Sequence, residues 1–505
     1  MAESVADELR RIAKGEVFDD SWSREIYSVD ASHYSLLPLA VVKPMDKYDI
    51  QEICQYNFTK NLPITGRGGG TGLLGQSLSN GVVVDFTKHM NQIIEVEDDY
   101  VVVEPGAVKS VLDRELRRRG KFLPPDPASS NYCTIGGMIA NNSSGPHGLG
   151  YGSTIDFLEA VNVVYADGSF GFLSEKNSCE EKTTHLRELL SPHLNVIQRG
   201  YPQVTKNSCG YRLDAVLNDR GFYPHKLLAG SEGTLGLVTS AQFKILDIPL
   251  YRNMLALAFE DLITATIVLP NILSFSPTAV EMLDQTSIDR QNNAATRPAG
   301  CLLFVEFAND DLSDVERRLS LCKDKVAINC TAVETANDQI SMDKIWAARK
   351  GALNNIMRIT VGSRRPVGLI EDTVVKTSFL PEYVRFLQKM YLENKLDYVM
   401  YGHLGEGNLH TRPIIDINSP KELQLIESLA DRVFNKVIKN GGTISGEHGD
   451  GLARVGYISR VYGEVIFAIF LQIKQLFDPT YLMNPGKKIA KSRKKSRHQK
   501  TKFDK

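Results

Sequence analysis

The sequence predicts an α+β protein built from two successive domains. Residues 47–245 alternate short β-branched runs with glycine-rich loops and a few helices, a pattern typical of strands joined by tight turns. Beyond residue 249 the sequence changes to longer runs with helical periodicity, separated by strand-like runs. We therefore place a domain boundary near residue 246 and expect a helix-covered antiparallel sheet in the second domain.

The first domain contains short predicted strands. Residues 38–44 and 81–86 are β-branched and are bounded by proline, glycine or polar residues. Residues 93–96 and 100–103 flank two aspartates and predict a β-hairpin. A helix is predicted over about 108–119, because its apolar residues keep helical spacing, its last turn is basic and a glycine follows it.

The second domain carries the longer elements. Apolar runs at 301–307 and 397–401 predict strands. Helical periodicity predicts helices around 313–323, 341–357, 381–394, 420–440 and 461–477.

Charge is distributed unevenly along the chain. The 505 residues contain 59 Lys and Arg against 60 Asp and Glu, yet the last 19 residues carry +9 and the others −10. A hydrophobic fraction of 42% excludes disorder over most of the chain. The basic tail, 489–505, is predicted to be disordered, and its charge suits peripheral contact with an anionic membrane. No module for reading nucleic acid accompanies it.

We expect a cytoplasmic protein without structural disulfides. No run of eighteen apolar residues is present, and the first nine residues include acidic ones where a secretory or transit peptide needs a basic or neutral run. The seven cysteines are scattered and form no Cys-x-x-Cys pair. This pattern excludes a disulfide framework, a zinc ribbon and an iron–sulfur cluster.

A dense glycine loop gives the first chemical signal. Six glycines lie within residues 66–75, and their unshielded backbone N–H groups favour an anion such as a diphosphate. A Gly-x-Gly-x-x-Gly pattern occurs at Gly70, Gly72 and Gly75, but a strand follows it where a nicotinamide-binding site requires a helix. Two further glycine-rich loops, 124–145 and 230–236, predict an extended ligand lying along this domain.

The order of these loops, preceded by residues 27–32, resembles the FAD-binding domain of the vanillyl-alcohol oxidase and p-cresol methylhydroxylase type over residues 20–245. The resemblance implies two subdomains, with the first loop on the FAD diphosphate and the others completing the cradle. The residues that it assigns to FAD are Arg67, Gly68, Gly69, Gly70, Thr71, Gly72, Pro125, Asp126, Ser129, Thr134, Gly136, Gly137, Asn141 and Glu232. Members that tether FAD have His where this chain has Thr71, so non-covalent FAD is implied, and neither His147 nor Cys133 is expected to be a tether.

Histidines and carboxylates cluster in the second domain. His403 and His410 flank a glycine-rich turn, and Glu447 and His448 lie in a second glycine-rich segment. Such donors suit Zn²⁺ or a similar divalent ion, and three protein ligands leave a position for substrate. The turn can fold back so that both imidazoles converge. By spacing alone a metallohydrolase is equally compatible, and only the flavin loops decide against it.

Both segments resemble the C-terminal domain of the FAD-linked 2-hydroxy-acid dehydrogenases, the family of the D-lactate, D-2-hydroxyglutarate and glycolate dehydrogenases. The resemblance implies that a divalent metal, zinc in the first place, is held by His403, His410 and Glu447, and that His448 is the catalytic base. It further implies that Arg349, Asn408 and Lys376 lie at the substrate, with Arg349 binding its carboxylate. Lys376 departs from the family pattern, which has proline there.

The implied domains are an FAD-binding domain at 1–245 with an N-terminal extension at 1–37, a substrate and metal domain at 246–465, and a segment at 466–488 that returns to the FAD domain. The implied reaction oxidises a small D-2-hydroxy acid to the 2-oxo acid by metal-assisted hydride transfer to FAD. A separate acceptor is expected: an electron-transfer flavoprotein, an iron–sulfur subunit, or a quinone or cytochrome. Two alternatives remain, an FAD-dependent oxidase of another alcohol and a non-catalytic flavin-binding subunit of a redox complex.

Overall fold

A computed structural model describes residues 4–176, 180–288, 300–357 and 362–489; the predicted basic tail lies outside these ranges from residue 490 onward. The first sheet has the strands β1 (Glu16–Phe18), β2 (Ala40–Lys43), β3 (Ile64–Arg67) and β4 (Val82–Asp85), with helices α1 (Val5–Ile12), α2 (Ser21–Tyr27) and α3 (Lys47–Lys60). Its order is β1-β2-β4-β3, and β2, β4 and β3 are parallel. Valines of β2 and β4 pack with Leu9, Ile50 and Ile53 in an apolar cluster of their own.

A five-stranded antiparallel sheet follows, in the order β5-β6-β12-β8-β9. The strands of this region are β5 (Ile93–Val96), β6 (Tyr100–Val103), β7 (Lys121–Phe122), β8 (Leu158–Val164), β9 (Phe170–Ser174), β10 (Leu217–Asn218), β11 (Gly221–Phe222), β12 (Leu237–Lys244) and β13 (Leu246–Asp247). The helices are α4 (Lys109–Arg117), α5 (Ile135–Asn141), α6 (Gly148–Tyr151), α7 (Thr154–Phe157), α8 (Glu181–Leu190), α9 (Leu194–Gly200) and α10 (Leu213–Val216).

The third sheet has eight strands, all paired antiparallel, in the order β17-β14-β16-β15-β20-β21-β18, with β19 also on β21. They are β14 (Tyr251–Phe259), β15 (Ala279–Asp284), β16 (Cys301–Asn309), β17 (Ala332–Ala336), β18 (Arg364–Pro366), β19 (Thr373–Val374), β20 (Tyr398–His403) and β21 (Asn408–Asp416). The helices are α11 (Leu262–Leu273), α12 (Gln285–Ile288), α13 (Leu312–Val326), α14 (Gln339–Met357), α15 (Leu380–Glu393), α16 (Pro420–Lys439), α17 (Gly451–Arg454) and α18 (Ile458–Phe477).

The end of the described chain returns to the first sheet. Helix α18 is bent at Gly463, whose φ of 73° is non-helical. The run Gly451–Phe477 has the length and apolar composition of a membrane span, but Phe470 and Phe477 of α18 are buried in the main core, and core helices meet the same criterion. Beyond α18, the N–H of Ile64 in β3 donates to Leu482 O. The last described residues therefore complete the edge of the first sheet.

The predicted α+β class is confirmed. The predicted hairpin is present as β5 and β6 with the same bounds, and each predicted helix of the second half matches one of α13, α14, α15, α16 and α18 to within about three residues. The parallel pairing in the first sheet was not predicted. Parallel strands are joined through long connections, and their pairing leaves no local turn signal.

Candidate active site

One cavity of about 1390 Å³ is lined from both halves of the chain. This volume exceeds the roughly 300–1,000 Å³ of ordinary small-molecule pockets. The lining includes residues of the three predicted glycine-rich loops and the side chains of His403, His410, Glu447 and His448. The two sets of residues singled out in the sequence therefore face one continuous space.

The first two glycine-rich loops touch through their backbones. A Cβ atom at Gly68 would collide with Thr134 Oγ1, and one at Gly69 would collide with Tyr132 O. Gly70 has a φ of +63°, which side chains rarely adopt. Only glycine lets the two loops approach this closely, so they form one wall of the cavity together.

The first loop presents unused hydrogen-bond donors to the cavity. None of the hydrogen bonds found among the described residues uses the backbone N–H groups of residues 68–72. Partly buried N–H groups normally have an acceptor, and consecutive ones form a concave anion site. The backbone N–H groups of this loop are therefore available to bind the diphosphate of FAD.

The third loop is fastened to the second half of the chain. Glu232 has a φ of 54°, and its carboxylate accepts hydrogen bonds from the N–H groups of Asp450 (2.6 Å) and Gly451 (3.0 Å). Burial raises the pKa of Glu232, and Lys488 opposes that rise. Glu232 thus joins the wall of the FAD cradle to the segment that carries His448.

The predicted FAD residues do not all face the cavity. Of the assigned set, Pro125 is missing from the described lining, whereas the others border it. Arg67 borders the cavity, but its guanidinium donates to Val29 O (2.8 Å) and Tyr27 O (3.3 Å). Burial also lowers the pKa of Arg67. Arg67 therefore holds the N-terminal segment against the loop.

The predicted turn between the two histidines brings them together. His403 ends β20, His410 lies in β21, and Gly407 in the connecting turn has a φ of +70°. The Nε2 atoms of His403 and His410 lie 3.0 Å and 3.5 Å from Glu447 Oε1. His410 pairs with Tyr401, which lies two residues before His403 on β20. Because cross-strand partners and residues two apart on a strand share a face of a sheet, both imidazoles project from the same face.

His448 completes a set of three imidazoles around Glu447. Its Nε2 lies 3.6 Å from Glu447 Oε1, close to the distance for His410. Its Nδ1 lies 2.7 Å from Glu371 Oε1, while His410 Nδ1 lies 3.0 Å from the other oxygen of that carboxylate. The His448 side chain is 21% exposed, against 3% for His410. His448 is therefore the imidazole most open to a molecule in the cavity.

Each imidazole is oriented by a buried carboxylate. Glu281 Oε1 lies 2.6 Å from His403 Nδ1. Glu371 makes the same kind of contact with the Nδ1 atoms of His410, at 3.0 Å, and His448, at 2.7 Å. Burial would raise the pKa of Glu371, but His448 and Arg412 hold it well below its usual range. Carboxylates on Nδ1 turn the Nε2 atoms toward the cavity, which is the usual arrangement around metal-binding histidines.

Buried cations balance these carboxylates. Lys206 Nζ lies 2.9 Å from Glu406 Oε2 and 3.2 Å from Glu447 Oε2. Burial would raise the pKa of Glu447, but Lys206 and His403 lower it well below its usual range. Arg454 pairs with both Glu371 (3.2 Å) and Asp372 (3.3 Å). The donors thus include ionised oxygen and outward-facing imidazole nitrogen, both of which suit a divalent cation.

The donors that the described residues bring together overlap only in part with the predicted metal ligands, sharing His410 and Glu447. One atom each of Asp372, His410, Glu447 and His448 lies within 4.8 Å of the others. Asp372 Oδ2 already accepts hydrogen bonds from the backbone N–H groups of Glu447 and His448 and forms an ion pair with Arg454. His403 lies outside this group, with its Nε2 3.0 Å from Glu447 Oε1 and its Nδ1 2.6 Å from Glu281 Oε1.

The three predicted substrate residues lie in different places. Arg349 on α14 borders the cavity, is 5% exposed and pairs with Glu281 Oε2 at 2.9 Å. Asn408 is fully buried below the site, where its amide donates to Asp372 and Thr373. Lys376 is exposed, and neither it nor Asn408 is among the described lining residues. Only Arg349 of the three faces the cavity.

Sequence reasoning assigned no role to Glu281, Glu371 or Lys206. Glu281 lies in a strand whose six residues are all buried, and its position between apolar residues on both sides, Ala279–Val280 and Met282–Leu283, is the one signal that could have pointed to it. Glu371 and Lys206 lie in irregular segments, where the sequence does not distinguish a buried charge from an exposed one.

Known protein families match both the part of the chain with the first two glycine-rich loops and the part with the imidazole cluster. Residues 38–171 match the family described as FAD binding domain, and residues 248–488 match that described as FAD linked oxidases, C-terminal domain. D-2-hydroxyglutarate dehydrogenase of Haemophilus influenzae is 30% identical over 94% of this chain and 50% of that protein. Glycolate oxidase subunit GlcD of Bacillus subtilis is 29% identical over 98% of each chain. The chain spans about half the length of the D-2-hydroxyglutarate dehydrogenases that it matches.

The fold has solved counterparts. The structure of p-cresol methylhydroxylase with substrate bound covers 96% of this chain and 96% of its own, with a TM-score of 0.71 at 14% identity. At that identity the similarity establishes the fold alone. The two matched ranges follow one another along the sequence and include the first two glycine-rich loops and the imidazole cluster, whereas the third loop at 230–236 lies between them. Residues 38–171 and 248–488 therefore belong to the FAD binding domain and to the C-terminal domain of the FAD linked oxidases, respectively.

Proposed function

We propose that the protein is an FAD-dependent dehydrogenase that oxidises a small D-2-hydroxy acid to the corresponding 2-oxo acid. The observation that carries this proposal is the single cavity that runs from the glycine-rich loops to the three imidazoles and Arg349. A flavin in the cradle and a hydroxy acid at the imidazoles would share that space. The names of the relatives supply the substrate class and its stereochemistry.

FAD would be held by the loops at 66–75, 124–145 and 230–236, and when bound it supplies the ring that accepts hydride. We propose that it is bound without a covalent tether, because both ring nitrogens of His147 are engaged by carboxylates. His403, His410 and Glu447 would hold a divalent cation, zinc in the first place, which as a Lewis acid favours loss of a hydroxyl proton.

Arg349 is placed to bind the substrate carboxylate. One guanidinium nitrogen pairs with Glu281, while Nε has no hydrogen-bond partner among the described residues. A buried N–H without an acceptor costs free energy, and an anionic substrate would relieve that cost. Arg349 also lies over the Tyr401 ring, 5.5 Å from its centroid, which limits the directions from which a carboxylate can approach.

His448 is placed to accept the proton of the substrate hydroxyl. Burial lowers the pKa of His448, but Glu371 and Asp372 raise it above its usual value, which strengthens the ring as a proton acceptor. In its neutral form the ring donates from Nδ1 to Glu371 Oε1, at 2.7 Å, and keeps a lone pair on Nε2. That nitrogen faces Glu447 and the cavity. The backbone N–H of His448 also donates to Asp372 (2.9 Å), which fixes the segment that carries the base.

The electrons must leave the reduced flavin. We propose a separate acceptor for them, an electron-transfer flavoprotein, an iron–sulfur subunit, or a quinone or cytochrome, and a cytoplasmic site of action. The cysteines of the described residues are free, and five of the six are buried. They therefore offer no exposed set of cluster ligands within the part of the chain that is described.

The test is an anaerobic titration of the FAD-loaded protein with a panel of D- and L-2-hydroxy acids, followed by the flavin absorbance. We expect bleaching either by the D form of lactate or 2-hydroxyglutarate and not by its L form, or by glycolate, which is achiral. Bleaching by a simple alcohol at the same rate would reject the assignment, because Arg349 would then have no carboxylate to bind.

A further inference from the structure

A hydrogen-bonded chain crosses the cavity wall between the second glycine-rich loop and helix α14. His147 follows the second glycine-rich loop, and its Nδ1 lies 2.7 Å from Asp126 Oδ2 of that loop. Its Nε2 lies 3.2 Å from Oε1 of Glu306 on β16. The other oxygen of Glu306 accepts a hydrogen bond from Trp346 Nε1 on α14, at 2.9 Å. Four side chains thus connect the FAD cradle to helix α14.

The ring of His147 must be charged to make both contacts. A neutral imidazole has one N–H, whereas the imidazolium has two and can donate to both carboxylates. Burial lowers the pKa of His147, but Asp126 and Glu306 raise it well above its usual range. Glu306 is 1% exposed, and both His147 and Arg252 lower its pKa, so loss of the imidazolium would remove the larger of these two contributions from a buried carboxylate.

Trp346 connects this hydrogen-bonded chain to the helix that carries Arg349. The two residues are three positions apart on α14 and therefore lie on the same side of the helix. The Trp346 ring packs on His147, with ring centroids 5.1 Å apart. Glu281, the partner of Arg349, projects from the same sheet face as Glu306, because Ala279 pairs with Glu306 and Glu281 with Phe304.

We propose that His147 is a positioning residue: it ties the second glycine-rich loop to the helix that presents Arg349, and so sets the affinity of the site for the substrate carboxylate. This inference rests on the proposed function, because it takes Arg349 as the carboxylate ligand. Among the described residues, His147 forms hydrogen bonds and ion pairs with Asp126 and Glu306 and not with the imidazole cluster or Glu371, so its effect falls on binding more than on proton transfer.

The test uses the FAD-loaded holoenzyme and the 2-oxo acid product of its best substrate, with the perturbation of the flavin spectrum as the binding signal. His147→Gln removes the second donor while keeping a polar side chain. We expect the Kd of the 2-oxo acid and the KM of the substrate to rise about 2- to 30-fold, the range for coupling through a packed network, with the limiting rate of flavin reduction changed far less.

Two further variants keep the test decisive. Trp346→Phe retains the ring but removes the N–H that reaches Glu306, and should weaken binding in the same direction even if His147→Gln does not fold. His89→Gln is the matched control: His89 is 22% exposed against 20% for His147, faces Glu16 at 2.7 Å and does not line the cavity. Its Kd should equal that of the wild type.

Unchanged binding in both His147→Gln and Trp346→Phe would overturn the inference, even if either variant unfolds at a lower temperature. A fall in the limiting rate with unchanged Kd would also overturn it, because His147 would then act at the reacting atoms. If no 2-hydroxy acid reduces the wild-type flavin, the proposed function itself fails, and that outcome is visible before any variant is made.

Discussion

His448→Gln should still bind FAD and be yellow, but its flavin should be reduced by the substrate roughly 10²- to 10⁴-fold more slowly, the usual loss for a general base. Glutamine can keep a hydrogen bond to Glu371, yet its amide cannot take up a proton at the position of Nε2. The rate is measured anaerobically by rapid mixing with the best acid of the panel. Substrate affinity should change much less, because Arg349 is untouched.

The control for this variant is again His89→Gln. His89 has nearly the same exposed fraction as His448, 22% against 21%, and also faces a carboxylate. The flavin of His89→Gln should be reduced at the wild-type rate. Reduction of the His448→Gln flavin at that same rate would remove His448 from its role as the base.

Glu371→Gln should disturb two imidazoles with one substitution. The carboxylate accepts from His410 Nδ1 on one oxygen and from His448 Nδ1 on the other. A glutamine keeps one acceptor and turns an NH₂ group toward the second imidazole, so that ring must rotate or change its tautomer. We expect metal affinity to fall about 10- to 100-fold, measured by metal content after dialysis, and flavin reduction to fall with it.

Adding excess metal to Glu371→Gln distinguishes the effect of lost metal from the effect on His448. If Glu371 acts by orienting His410, added zinc should recover part of the rate of flavin reduction. The part of the rate that zinc does not recover is then due to the disturbed orientation of His448. Glu422→Gln is the control, because Glu422 also pairs with an arginine, Arg364 at 3.1 Å, but does not line the cavity. Full metal content and a normal rate in Glu371→Gln would contradict the shared-carboxylate geometry.

The sequence was sufficient where a local pattern determines the structure. Glycines that permit positive φ or close backbone approach, such as Gly70, mark the cofactor loop, and the turn around Gly407 brings His403 and His410 together as the pattern predicts. The α+β class follows from periodicity, which depends only on neighbouring residues. These features need no knowledge of which distant segments meet.

The groups that orient the site required the structure. Glu281 and Glu371 are each fully buried and reach their histidines from segments that lie 122 and 39 residues away along the chain. Sequence resemblance placed Lys376 at the substrate, but its side chain is exposed and outside the described lining. Local sequence does not report the burial of a charge, because burial depends on tertiary packing.

The central claim is that one cavity couples a flavin to oxidation of a 2-hydroxy acid. The most direct measurement is a single anaerobic turnover in which reduced flavin and 2-oxo acid are quantified in the same sample. We expect one molecule of 2-oxo acid for each flavin reduced, since oxidation of the alcohol delivers two electrons. A flavin that stays oxidised with every acid of the panel, or that is reduced without formation of a 2-oxo acid, would contradict the claim.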